Sequence, residues 1–152
     1  MSALAEMFRA LGHRSVSTYI QSGNVRFEPA TAAVNLEAEV EAAITHTFGH
    51  SVSVIVRSVE EIREIGGLSP FAASPPEQHM VVFLREAPAA EKIAGLDPAR
   101  SPPDQFAVRG REIYAACPNG FARTKLTLDW FEKRLGTVGT ARNWKTVGVL
   151  GG

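Results

Sequence analysis

The chain is 152 residues long, enough for one ordinary domain or two very small ones. Its 45% apolar content supports a packed core and argues against disorder. The 16 basic and 16 acidic side chains cancel, so the chain as a whole lacks the strong charge of a typical nucleic-acid or membrane binder, and its single cysteine, Cys117, excludes an internal disulfide.

In chain order, Leu4, Met7, Phe8 and Leu11 fall at helical spacing and predict an amphipathic helix over 3–12, not a signal peptide, because Glu6 interrupts it and no cleavage-type ending follows. Residues 15–28 read as two short strands around Ser22-Gly23. Val34, Leu36, Val40, Ala43, Ile44 and Phe48 give the segment 34–48 a helical apolar face. A strand is expected at 51–57, SVSVIVR, and a helix at 58–66, where Ser58 and Glu61 have the spacing of a capping box. Residues 71–77 form the Pro-rich centre of a linker between halves 1–70 and 78–152.

The second half starts with the strand HMVVFLR at 79–85. A short helix is expected around 88–95, a hairpin at 104–116, and a helix at 124–135 capped by Thr124. A strand near 137–141 and a helix over 143–150 complete it. The order is β-α-β-β-α-β plus a helix, and the first half repeats it without its opening strand. The expected class is therefore α+β, with two ferredoxin-like halves, the first lacking its first strand. That strand normally lies inside the sheet, so its absence leaves strand edges to be paired some other way.

Register separates the faces of both hairpins. With Ser22-Gly23 as a two-residue loop, Gln21 faces Asn24 and Tyr19 faces Arg26, so Tyr19, Gln21, Asn24 and Arg26 share a polar face. With Gly110-Arg111 as the second loop, Arg109 faces Glu112, and Tyr114 lies on the face opposite Val108 and Ile113. Tyrosines on open sheet faces suit base stacking, or equally the packing of the faces on each other or in a homodimer.

Three segments resemble a bacterial family labelled domain of unknown function 1697: YIQSGNVRF at 19–27, TARNWKTV at 140–147 and, more weakly, NGFARTKL at 119–126. The resemblance implies a bacterial protein with two ferredoxin-like halves and supplies no activity. Members of that family open with a strand and a glycine-containing loop before the first helix. The expected natural product is accordingly longer at its front by about 15–25 residues.

Candidate chemistry concentrates in the last third. The first 100 residues carry a net charge of −4 and the last 52 a net charge of +4. Arg123, Thr124 and Lys125 run into one predicted helix N-terminus, and Arg142, Asn143, Trp144 and Lys145 into another. Helix N-termini present free N–H groups and partial positive charge, so a phosphate-bearing ligand or nucleic acid is the expected partner, with Trp144 as a stacking surface. The alternative is that Thr124 and Asn143 are plain caps and Trp144 fills core. His46 and His50 lack the further ligands of a metal site, and Cys117 lacks a neighbouring base. The Glu37-Glu39-Glu41 run reads as a solvated helix face. No nucleophile and acid–base set singles out a reaction, so a non-enzymatic cytoplasmic binding module without cofactor or metal is the expectation. Self-association and an enzyme acting on a small anionic substrate are the alternatives.

Overall fold

Leu4, Met7, Phe8 and Leu11 do line one side of a helix, α1 (Ser2–Ala10) and the turn that follows it, and the elements after it alternate between strands and helices in a mixed α+β fold. The computed structural model describes residues 2–19, 23–30 and 35–152. Among these are six α-helices and two antiparallel sheets, and none of the helices is long and apolar enough to cross a membrane. Two compact units divide the chain, Met1–Val56 and Arg57–Gly152.

In the first unit, β1 (Arg14–Tyr19) pairs with β2 (Asn24–Glu28), and α2 (Leu36–Phe48) follows. Met7 and Phe8 of α1 bury against Val40 and Ile44 of α2, with Val16, Val25, Phe27 and Val54 packed around them. The hairpin register differs from the expected one. Tyr19 pairs with Asn24 and Thr18 with Val25, so the connection spans residues 20–23 and is not a two-residue turn. Gln21 and Ser22 lie outside the described residues. The slip is two residues, which leaves Thr18, Tyr19, Asn24, Val25 and Arg26 on their expected faces, because the strand period is two. Tyr19, Asn24 and Arg26 thus share a face, but Asn24 is buried and Tyr19 half-buried; only Arg26 is exposed.

Residues 51–56 are not a strand. Their valines are in place, but the backbone lies along α2 and takes acceptors from it. Val54 N–H donates to Glu41 Oε2 (2.8 Å) and Val56 N–H to Glu37 Oε2 (2.9 Å). The spacing explains the fit: four helical residues rise about 6 Å and two extended residues about 6.6 Å. Glu39, between them in sequence, accepts from His13 Nε2 at 2.8 Å. His13 Nδ1 accepts from Ala30 N–H, which leaves Nε2 as the protonated nitrogen. The three glutamates expected to be solvated therefore all hold the unit together.

In the second unit, α3 (Val59–Gly67) starts with the anticipated capping box, Glu61 N–H to Ser58 Oγ at 3.0 Å and Ser58 N–H to Glu61 Oε1 at 2.8 Å. A short 3-10 turn (Pro76–Gln78) leads into β3 (His79–Leu84), α4 (Ala90–Ala94), β4 (Gln105–Arg109), β5 (Glu112–Ala116), α5 (Leu128–Leu135), β6 (Gly139–Asn143) and α6 (Trp144–Gly151). The sheet order is β4-β5-β3-β6, antiparallel throughout. The Arg109–Glu112 and Phe106–Ala115 pairs fall where the Gly110-Arg111 turn predicts. Every residue of β3 is buried, the mark of a strand covered on both faces.

One face carries Met80, Val82, Leu84, Ile113 and Ala115 and packs on Leu96, Leu126, Trp130, Phe131 and Leu135. The other face is closed too, which corrects the expectation of an open surface around Tyr114. Tyr114 is 1% exposed, and its hydroxyl donates to Ile65 O of α3 at 2.7 Å. Burial, then the neighbouring Glu112, pushes the phenol up to about 12. α3 also packs on α6. This helix, assigned from sequence to the first half, belongs to the second unit, so the division falls after Val56 and not at the Pro-rich segment.

Candidate functional site

The register places four strand ends together. His79 pairs with Ala116, Met80 with Asn143 and Gln105 with Ala116, so β3 and β4 start, and β5 and β6 finish, at one end of the sheet. The loop after β5 leads to α5, which crosses to the far end, where Gly139 of β6 pairs with Leu84. β6 then returns, and α6 starts at Trp144. Both helix N-termini therefore sit at the same end of the sheet as the loop bearing Arg123 and Lys125. Arg123, Lys125 and Lys145 are exposed there.

The loop is tied down by hydroxyls. Asp104 Oδ2 accepts from Thr124 Oγ1 (2.6 Å) and Ser101 Oγ (2.8 Å), and Lys125 N–H donates to Ser101 Oγ (3.0 Å). Thr124 is thus no helix cap; Thr127 is, accepting from Trp130 N–H at 3.2 Å. Cys117 lies beneath, fully buried, and its thiol donates to Thr124 Oγ1 at 3.7 Å. Burial pushes that thiol up, which makes it a poor nucleophile. Arg100 reaches over the Trp130 ring, 4.9 Å from its centroid, and its Nε donates to Lys125 O at 3.4 Å.

The second cluster divides. Asn143 caps α6, accepting from Thr146 N–H at 2.8 Å. Arg142 is half-buried and folds back: its guanidinium donates to Thr140 Oγ1 and to Ala141 O (2.8 Å). Burial lowers its pKa. Trp144 is half-buried and stacks on the His79 ring, with centroids 4.0 Å apart and planes at 14°. Of the seven predicted residues, Arg123, Lys125 and Lys145 keep exposed cationic heads at this end, while Thr124, Arg142, Asn143 and Trp144 are engaged within the fold.

No motif or spacing singles out His79. It is fully buried, its Nε2 lies 2.9 Å from Ser69 Oγ, and its Nδ1 has no hydrogen-bond partner. Burial lowers its pKa, so the folded chain holds it neutral while the unfolded chain protonates it near the ordinary value of about 6.5. Its stabilising contribution is complete above that value and lost as the pH falls below it. The urea midpoint is expected to drop from about pH 7 to about pH 5, and His79→Gln is expected to flatten that slope.

A family model described as a protein of unknown function, DUF1697, matches residues 1–114. The chain belongs to the DUF1697 family. The matched span includes a hairpin from each unit, β1–β2 and β4–β5 as far as Tyr114, and ends before the loop of Arg123 and the α6 N-terminus. Among solved structures, this DUF1697 chain is similar to a conserved bacterial protein, SP0830, from Streptococcus pneumoniae. The two share 20% identity and a TM-score of 0.75, over 99% of this chain and 86% of that one, a likeness of fold. No curated protein matches.

Proposed function

We propose that this DUF1697 protein is a non-enzymatic, cytoplasmic binding module for a phosphate-bearing ligand or nucleic acid, docked at the end of the second unit's sheet. The observation that carries the reading is topological: two helix N-termini and the exposed heads of Arg123, Lys125 and Lys145 share one sheet end. N-terminal N–H groups and nearby cations both favour an anion. The proposed set excludes Arg142, whose guanidinium is engaged with Thr140 and Ala141. The second unit also reads as ferredoxin-like: its β3-α4-β4-β5-α5-β6 order and β4-β5-β3-β6 sheet support that assignment. The first unit reads as a related half in which α2 carboxylates serve the backbone of residues 54 and 56.

The test is fluorescence anisotropy with a labelled single-stranded oligonucleotide and with a nucleotide as competitor. The triple variant Arg123→Ala, Lys125→Ala, Lys145→Ala is expected to bind at least about tenfold more weakly at low salt. Lys133→Ala, an exposed lysine paired with Asp129 on α5, is expected to leave binding unchanged. Equal affinity of the triple variant and the parent would refute the proposal.

A further inference from the structure

Ser69 follows α3, and His79 opens β3 at the same sheet end. Their side chains meet at 2.9 Å, Oγ to Nε2. Phe71 N–H donates to Ser69 Oγ at 3.1 Å, so that oxygen already accepts one hydrogen bond. Oγ keeps a second lone pair and its own proton, so it can accept from His79 Nε2–H or donate to Nε2; the reactive arrangement is the second, with the ring proton on Nδ1. The imidazole is fixed by packing, stacked on Trp144 and met edge-on by Phe71 at 6.3 Å between centroids. A hydroxyl hydrogen-bonded to a neutral, immobilised imidazole has the arrangement of a nucleophile with its general base. Ser69 is half-buried whereas His79 is fully buried, so the serine is the member of the pair that reaches the surface.

We propose that Ser69 is a nucleophile activated by His79, taking an acyl group from an activated ester. The Oγ attacks the carbonyl carbon and forms the new ester bond. The bond from that carbon to the leaving oxygen breaks, and the serine proton passes to His79 Nε2 and on to the departing alkoxide. The imidazolium formed in between is faced by the indole of Trp144, an aromatic surface that favours a cation where a carboxylate would serve in a triad. This acyl-accepting step goes beyond the non-enzymatic anion-binding reading, does not depend on it and uses none of its three basic residues.

The experiment treats the full chain with 4-nitrophenyl acetate, follows nitrophenolate release and maps the acetyl group by peptide mass spectrometry. An acetyl ester on Ser69 is expected, absent in Ser69→Ala. His79→Gln is expected to slow the reaction about 100-fold, the scale of a lost general base. In the parent the rate is expected to hold down to the ordinary imidazole value of about 6.5 and to fall only below it, because burial delays the protonation of His79 in the folded chain. Acetyl groups confined to lysines and the N-terminus would overturn the proposal. So would equal Ser69 acetylation in a His79→Gln chain whose circular dichroism matches the parent. Should that variant not fold, the parent's pH profile decides, and a rate unchanged down to the acid limit of the folded chain overturns the assignment.

Discussion

Replacing Arg57 with methionine is expected to cost about 3–5 kcal/mol of stability, the scale of a buried ion pair broken from one side. The Arg57 side chain is 3% exposed, and its Nε donates to Glu112 Oε2 at 3.2 Å. Its Nη2 donates to Leu84 O at 2.6 Å and to Arg111 O at 3.4 Å, and the guanidinium carbon sits 5.8 Å from the Phe83 ring centroid. Burial, then the charge of Arg111, lowers the Arg57 pKa, while Glu112 opposes both. Removing the arginine leaves Glu112, 15% exposed, facing the β5 side of the sheet without its cation. Urea unfolding measures the loss. The double replacement Arg57→Met with Glu112→Leu is expected to recover most of it, because the stranded charge is then gone as well.

Phe131→Ala is expected to cost about as much, 3–5 kcal/mol, by a different route. Phe131 is fully buried in the core between α5 and the sheet, edge-on to Phe106 at 5.5 Å and tilted against Trp130 at 5.0 Å. The core cluster it belongs to includes Leu126, Leu135, Ile113 and Val82 from several elements, a packed set that does not collapse easily into the vacated space. Phe48→Ala provides the contrast. Phe48 is 38% exposed at the end of α2, and its loss is expected to shift the urea midpoint only slightly.

The elements themselves were largely legible. Local signals carry them: the Ser58–Glu61 box, the Gly110 turn with its Arg109–Glu112 pair, and helical apolar spacing in α1 and α2. Legibility failed where a local signal had a close competitor. Thr124 and Thr127 are both plausible caps, but Thr127 is followed two residues later by Asp129, which suits a first turn, and Thr124 is followed by Lys125. The SVSVIVR segment has strand propensity, yet propensity does not specify a partner, and α2 carboxylates took the role of one.

The candidate site was legible in part, for the same reason. Arg123, Lys125 and Lys145 stand out as basic residues beside helix starts, and their convergence follows once the strand order is known. Arg142 and Trp144 carry the same sequence signal, but β6 turns them toward the closed face of the sheet. The Ser69–His79–Trp144 arrangement joins residues from three separate segments, and no spacing rule connects them. Arg57 likewise looks like an ordinary strand-end cation until β5 brings Glu112 to it.

The most direct measurement of the central claim is the salt dependence of oligonucleotide binding by the parent and by the Arg123→Ala, Lys125→Ala, Lys145→Ala variant. Three phosphate-contacting cations contribute about 2 to the slope of log affinity against log salt on a single strand. The parent is expected to show a slope steeper than the variant's by about that amount. Parallel lines of equal affinity would contradict an anion site at this end of the sheet.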